Sequence, residues 1–410
     1  MKYVCLIGDG MADFPLDTHG GRTPLQLAAT PAMDALASEG LCGLYWPIPE
    51  GLPPGSDIGN LSLFGYNPHE TFSGRAPLEA ANQGIELGPD DVAFRCNLVT
   101  LDNGLMKSFT ADHISSEEAA QLIRALDTQC PYDCAFYPGV SYRHLAVIPG
   151  GEVKSEALVA TACTPPHDIS DQAYDGHLPK GPAAESLREL MEWSRPVLAE
   201  HPVNGARIAA GHLPATSIWL WGQGQAPRMA TYRERFGLSG AVISAVDLVK
   251  GIGVCAGLEI IDVPGATGYI DTNYEGKVEA ALSALERVDF IYLHVEAPDE
   301  CGHEGIIDKK VGAIEDFDRR VVAPCLEAAR AHDDWRILAA PDHVTALSTR
   351  THAGGPVPFA LWGAGVTSNG VSRYDEASAE RGGLVVNPGY ELVPHMIRAE
   401  RLDAHSFQVP

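Results

Sequence analysis

Three short, largely apolar runs in this chain each lead into an aspartate. Uncharged runs of this length are typical of strands buried in a parallel sheet. The runs and their aspartates are residues 3–7 with Asp9, residues 290–295 with Asp299, and residues 337–340 with Asp342. Because ligands of parallel α/β sheets collect beyond the carboxyl ends of the strands, the pattern predicts a polar site at that edge of a sheet.

Histidines accompany two of these aspartates. His343 directly follows Asp342, and His303 follows Asp299 by four residues, a spacing at which two side chains meet on one turn of backbone. Asp342 and its neighbour can share a site only if the chain bends, which the preceding proline favours. His352 precedes a Gly-Gly-Pro segment that lets the backbone return to the same place. The alternative is a helix-capping aspartate with surface histidines, but the recurrence of the pattern favours a metal site.

A helix is predicted from Thr30, as its cap, to Gly40, and a second strand follows at residues 42–45, completing a first βαβ unit. A Pro-Pro-Gly loop then delivers Ser56 to the start of another helix. A serine in this position is usually only an N-cap. As a nucleophile it would gain from the helix N-terminus, which stabilises an anionic phosphoryl group.

The region from residue 75 to residue 224 has a different character. Strands are predicted at residues 92–98, 143–148 and 217–221, and helices from the capping box at Ser115 and from residue 183 to residue 195, before Pro196. The candidate ligands lie on both sides of this region. We therefore expect an inserted α+β domain at 75–224, able to close like a lid over an α/β catalytic domain of residues 1–74 and 225–410.

Composition narrows the possible partners. The 410 residues suit two domains, and a net charge of −25, from 54 acidic and 29 basic residues, argues against nucleic acid or an anionic membrane as partner. No run approaches the ~20 apolar residues of a membrane span. Nine scattered cysteines are typical of a reducing compartment. Cys130 and Cys134 form the only close pair, whereas a zinc ribbon needs two pairs. A cytoplasmic protein is predicted.

Seven motifs, in consistent order over nearly the whole chain, resemble those of the archaeal-type cofactor-independent phosphoglycerate mutases of the alkaline phosphatase superfamily. The motifs are Gly8-Asp9-Gly10-Met11-Ala12-Asp13, Pro54-Gly55-Ser56-Asp57-Ile58-Gly59-Asn60, Gly74-Arg75-Ala76-Pro77-Leu78-Glu79-Ala80, Phe94-Arg95-Cys96-Asn97, Asp299 with Gly302-His303, Pro341-Asp342-His343, and His352 with Pro356-Val357-Pro358. The serine loop also resembles that of close relatives proposed to be homoserine kinases. The fold implied is an alkaline-phosphatase-like, doubly wound, mostly parallel sheet with an inserted smaller domain.

The resemblance also implies a reaction and a metal site. The reaction is the interconversion of 3-phosphoglycerate and 2-phosphoglycerate in glycolysis and gluconeogenesis, through a phosphoserine at Ser56 and without 2,3-bisphosphoglycerate. Two divalent ions, manganese or zinc, would be bound by two ligand sets: Asp299, His303 and His352 for one ion, and Asp9, Ser56, Asp342 and His343 for the other. Mixed carboxylate and imidazole ligands suit Mn²⁺ or Zn²⁺, and a bound cation would activate the serine oxygen.

Six residues are candidates for holding the phosphate and carboxylate of a small phosphorylated substrate. They are Arg95, His113, Arg143, His144 and His167 in the insert, and Lys250, which resembles a phosphate-facing lysine of the mutases. Many relatives have Ala-Gly-Arg where this chain has Ala111-Asp112-His113. A homoserine kinase-like phosphotransferase, a metal-dependent phosphohydrolase and a non-catalytic metal-binding protein are the alternatives. The sequence does not predict an oligomeric state.

Overall fold

The computed structural model describes residues 1–151 and 153–407. The chain divides into two compact units, one of Met1–Phe72 with Arg228–Pro410 and one of Ser73–Pro227. We call the first the main unit and the second the insert. No helix in the described ranges is both long and apolar enough to span a membrane.

Fifteen strands lie in the described residues. In chain order they are β1 Lys2–Gly8, β2 Leu41–Tyr45, β3 Val92–Asp102, β4 Leu105–Ser108, β5 Ala135–Tyr137, β6 Arg143–Ile148, β7 Ser217–Gly224, β8 Gly240–Ile243, β9 Glu259–Ile260, β10 Phe290–Val295, β11 Trp335–Ala340, β12 Val344–Ala346, β13 Thr351–Ala353, β14 Val357–Gly363 and β15 Val385–Val386. The apolar runs that predicted β1, β10 and β11 form these strands with bounds shifted by at most two residues.

The α-helices of the described residues number seventeen. In chain order they are α1 Pro24–Leu27, α2 Pro31–Glu39, α3 Ser56–Leu63, α4 Pro68–Thr71, α5 Arg75–Asn82, α6 Ser116–Gln129, α7 Ser155–Val159, α8 Ala184–Ala199, α9 Pro202–Ala209, α10 Tyr232–Phe236, α11 Asp247–Cys255, α12 Tyr274–Ala284, α13 Ala297–Glu304, α14 Ile307–Phe317, α15 Ala323–Ala329, α16 Glu376–Arg381 and α17 Leu392–Arg398. A π-helical segment, Asp318–Val322, joins α14 to α15.

The main unit is built on an eight-stranded sheet in the order β15-β2-β14-β11-β1-β10-β8-β9. Of these described strands only β14 runs against the others, since it pairs antiparallel with both β11 and β2. The predicted α/β class with a mostly parallel sheet is therefore confirmed. The two strands of the predicted first βαβ unit, β1 and β2, are not neighbours in the sheet, because β11 and β14 lie between them. Apolar residues of α2, α12, α14 and α15 pack on this sheet.

The insert contains a five-stranded antiparallel sheet in which β3 pairs with β4, β6 and β7, and β6 pairs with β5. Alternate residues of a strand point to opposite faces, and the first part of β3, as far as Leu98, follows this rule. Its Phe94 and Leu98 face the core formed with α6 and α8, whereas Ala93 packs with α5 on the other face. The capping box at Ser115 is present, with its hydroxyl accepting from the backbone N–H of Glu118.

One helix boundary and one helix cap differ from the prediction, whereas α2 has the predicted extent between Thr30 and Gly40. Helix α8 does not end before Pro196 but runs on to Ala199, and its last turn keeps Leu198 fully buried in the insert core. Thr30 makes no side-chain hydrogen bond at the start of α2. The cap comes from a distant residue instead, because the Asp318 carboxylate accepts from the backbone N–H groups of Ala32 and Met33 at 3.1 and 2.7 Å.

Candidate metal centre

Three neighbouring strands bring the predicted ligands to one edge of the main sheet. Strand β1 lies between β10 and β11, and its Ile7 is in register with His294 on one side and Ala340 on the other. The residues that follow these strands are therefore adjacent in space. They are Asp9 after β1, Asp299 and His303 on α13 after β10, and Asp342 with His343 after β11.

One cluster of potential ligand atoms comes from Asp299, His343 and His352, whose atoms all lie within 4.8 Å of one another. His303 joins it, with its Nε2 3.2 Å from Asp299 Oδ2 and 3.0 Å from His352 Nε2. His352 reaches this place on the hairpin of β12 and β13, in which it pairs with Thr345. The hairpin, rather than the Gly-Gly-Pro segment after it, returns the chain to the site.

A second cluster comes from Asp9, Asp342 and His343, again with ligand atoms within 4.8 Å of one another. His343 belongs to both clusters, so the two adjoin. Ser56 lies beside them, with its Oγ 3.1 Å from His343 Nε2. Ser56 is the first residue of α3, and the N-cap position is Gly55. The hydroxyl of Ser56 is therefore not the helix cap and is directed to the cluster instead.

The electrostatics of the two clusters differ. Burial raises the pKa of Asp9 well above its usual range, and the nearby carboxylates of Asp342 and Asp299 raise it further. Burial would also raise the pKa of Asp299, but hydrogen bonds to His303 and His352 outweigh it and hold this pKa well below the usual range. The same Asp299 carboxylate raises the pKa of His303 to about 9.

The donor set fits divalent cations. Asp9 Oδ1 is buried with no hydrogen-bond partner among the described residues, and it lies 3.3 Å from His343 Nε2. Burying two adjacent carboxylates is costly unless a cation compensates their charge. Carboxylate oxygens, imidazole nitrogens and a serine oxygen converge here. The arrangement can therefore hold metal ions next to a hydroxyl group.

Sequence reasoning missed the residues that support these ligands. His294 is hydrogen bonded to Asp9, Asn60 donates to Asp342, and Thr345 donates to Asp299. The ligands themselves stand out by their place after a strand, whereas these partners stand within strands and helices. A histidine inside the apolar run of β10 was the one available signal.

The candidate substrate residues of the insert have varied surroundings. Arg95 forms a two-bond pair with Glu79, at 2.7 and 3.1 Å, and its guanidinium lies 4.4 Å from the centre of the Trp221 ring. The ring of His167 meets the same tryptophan edge-on, with centroids 5.2 Å apart. His144 is buried, and burial lowers its pKa to about 3. This histidine is a core residue of the insert rather than an exposed anion ligand.

Three further candidates remain. Arg143 and His113 are exposed. Lys250, on α11 of the main unit, binds Asp262 with its Nζ 2.6 Å from Oδ1.

Cys130 and Cys134 belong to neither of the ligand groups found in the described part of the chain.

The fold and the site define an α/β protein that holds two adjoining carboxylate–imidazole clusters beside a serine. The family model for 2,3-bisphosphoglycerate-independent phosphoglycerate mutase matches residues 37–204. Relatives of that name include one from Methanosarcina acetivorans, 52% identical over 97% of this chain and 100% of its own length. A probable one from Geobacter sulfurreducens is 54% identical over 97% of this chain and its full length. The chain belongs to the 2,3-bisphosphoglycerate-independent phosphoglycerate mutases.

A solved structure agrees with this assignment. The cofactor-independent phosphoglycerate mutase of Thermoplasma acidophilum is 25% identical with a TM-score of 0.65, covering 97% of this chain and 100% of its own.

Proposed function

We propose that this chain is an isomerase that interconverts 3-phosphoglycerate and 2-phosphoglycerate through a phosphoserine at Ser56, without 2,3-bisphosphoglycerate. One observation carries the proposal: the Ser56 hydroxyl stands at the N-terminus of α3, 3.1 Å from the histidine that both clusters share. The relatives named as mutases, which match nearly the whole chain, support the same reaction.

The reaction requires two phosphoryl transfers at one serine. In the first, the bond between glycerate O3 and phosphorus breaks as the bond from Ser56 Oγ to phosphorus forms; the serine loses its proton and O3 gains one. In the second, the bond from glycerate O2 to phosphorus forms as the bond from Ser56 Oγ to phosphorus breaks; O2 loses its proton and the serine oxygen gains one. Atoms and charge balance without a second phosphorylated molecule. The N-terminus of α3, at the positive end of the helix dipole, favours the negative charge on Ser56 while it is phosphorylated.

Two divalent ions, Mn²⁺ or Zn²⁺, suit the mixed carboxylate and imidazole donors. When bound, they would lower the pKa of the serine hydroxyl and neutralise the phosphoryl group. Two residue sets would hold them: Asp299, His303 and His352 for one ion, and Asp9, Ser56, Asp342 and His343 for the other. Such cations would also explain how a chain with a net charge of −25 accepts an anionic substrate.

The test is an enolase-coupled assay of the purified protein with Mn²⁺ and 3-phosphoglycerate, beside a parallel assay with ATP and homoserine. We expect mutase activity, its loss on treatment with EDTA, and no homoserine phosphorylation. Ser56→Ala should lower turnover by a factor of about 10³ or more, because it removes the nucleophile.

Ser62→Ala is the matched control. It removes a buried hydroxyl from the same helix, where Ser62 donates to the Pro47 carbonyl away from both clusters. Ser56→Ala turnover equal to that of Ser62→Ala would contradict the phosphoserine, and homoserine phosphorylation without mutase activity would replace the proposed reaction.

A further inference from the structure

Strand β10 presents two fully buried polar side chains on one face. Tyr292 and His294 are two residues apart, so they point to the same side of the sheet. Both side chains are linked by hydrogen bonds to a carboxylate of the second cluster. His294 contacts Asp9 directly, and Tyr292 is linked to Asp342 through Asn60. The same strand leads into Asp299, which belongs to the first cluster.

His294 is held in one orientation. Its Nε2 lies 2.9 Å from Asp9 Oδ2, and its Nδ1 lies 3.2 Å from the hydroxyl of Ser244. With a cation bound, the Asp9 carboxylate is ionised and only accepts hydrogen bonds, so Nε2 then donates and Nδ1 accepts from the serine. Ser244 in turn accepts from the backbone N–H of Val246 at 3.0 Å. His294 thus fixes the Asp9 carboxylate through Oδ2, and the other oxygen, Oδ1, remains available to bind a metal ion.

Tyr292 acts on the other aspartate through Asn60. The Asn60 amide nitrogen lies 2.6 Å from Asp342 Oδ2 and 2.8 Å from the Ser56 carbonyl oxygen. Both partners are acceptors, so this atom must be the NH₂ group, and the amide oxygen accepts from the Tyr292 hydroxyl at 2.6 Å. The two acceptors fix which way the amide faces, and the Tyr292 hydroxyl holds its oxygen in that orientation. The backbone N–H of Gly10 completes the support by donating to Asp342 Oδ1 at 3.1 Å.

We propose that Tyr292 and His294 are positioning residues that orient Asp342 and Asp9 for metal binding, so that the strand leading to a ligand of one cluster orients the carboxylates of the other. This inference rests on the two-metal site proposed above. Loss of partners that orient metal ligands typically lowers metal affinity 10- to 100-fold. The effect should fall on the ion bound by Asp9 and Asp342, and the ion bound by Asp299, His303 and His352 should keep its affinity.

Tyr292→Phe and Tyr274→Phe are the test and its matched control. Both tyrosines are fully buried in the main unit, but the Tyr274 hydroxyl has no hydrogen-bond partner among the described residues. Mn²⁺ is titrated into each metal-stripped protein by calorimetry, and the thermal midpoint of each metal-free protein is recorded. Tyr292→Phe should weaken one of two Mn²⁺ sites about 10- to 100-fold, and Tyr274→Phe should weaken neither. Equal Mn²⁺ affinities in the two variants would overturn the inference.

His294 provides a second pair of variants. His294→Gln keeps an N–H group near the position of Nε2, whereas His294→Leu removes it. We expect glutamine to restore most of the Mn²⁺ affinity that leucine loses; equal losses would assign His294 a packing role only. Titrations without substrate separate the two proposals. Two Mn²⁺ sites in a protein without mutase activity would contradict the reaction and leave this inference standing.

Discussion

A buried lysine beside the metal centre allows a quantitative prediction. Lys310 on α14 has no exposed surface, and its Nζ lies 3.0 Å from Asp13 Oδ2 and 3.2 Å from the Ala12 carbonyl oxygen. It also donates to the Thr345 carbonyl. The ammonium group therefore joins the loop that follows β1, which carries Asp9, to strand β12.

Lys310→Met keeps the length of the side chain and removes its charge. The Asp13 carboxylate would stay buried, with only the backbone N–H groups of Phe14 and Leu347 as partners, at 2.7 and 3.1 Å. Removing one partner of a buried ion pair costs about 3–5 kcal/mol, because the other charge is left uncompensated. Since Asp13 keeps these two hydrogen bonds, we expect a loss near the lower end, about 3 kcal/mol in the free energy of unfolding.

The neighbouring Lys309 supplies the control. It binds Glu304 at 2.6 Å on the surface, and exposed pairs contribute only about 0–1 kcal/mol. Urea unfolding of the metal-free proteins, followed by circular dichroism, should therefore separate Lys310→Met from Lys309→Met by about 2 kcal/mol or more. Adding Asp13→Asn to Lys310→Met should recover part of the loss, because it removes the uncompensated charge. Equal losses in the two lysine variants would refute the reasoning.

Two further predictions concern single side chains. His303→Ala should weaken one of two Mn²⁺ sites and leave the other, because His303 contacts only the Asp299 and His352 ligands; calorimetric loss of both sites would contradict the separate ligand sets. Burial raises the pKa of Asp318 to about 6 even though it caps α2. A group whose pKa is higher in the folded than in the unfolded state stabilises the fold at pH values below its unfolded-state pKa. This stabilisation is lost as the pH rises through its folded-state pKa. The stability of wild type relative to Asp318→Asn, measured by urea unfolding, should therefore rise as the pH falls from about 8 to about 5; a pH-independent difference would contradict the shifted pKa.

The sequence by itself determined the elements whose signals are local. Uncharged runs predicted β1, β10 and β11, because a strand buried on both faces needs apolar residues throughout. The position of Asp9, Asp299 and Asp342 after these runs predicted their place at one sheet edge, because parallel strands align their carboxyl ends. The capping box of α6 could also be predicted, because its two partners are only three residues apart in the sequence.

Only the tertiary structure decided what depends on distant residues. The order that inserts β11 and β14 between β1 and β2 follows from side-chain packing across the sheet, and no short window contains it. The cap of α2 comes from Asp318, 285 and 286 positions away from the N–H groups it accepts. His294 and Asp9 are likewise 285 residues apart. Hydrogen bonds between such residues form only once the chain has folded. The periodicity and propensity of a local segment therefore cannot predict them.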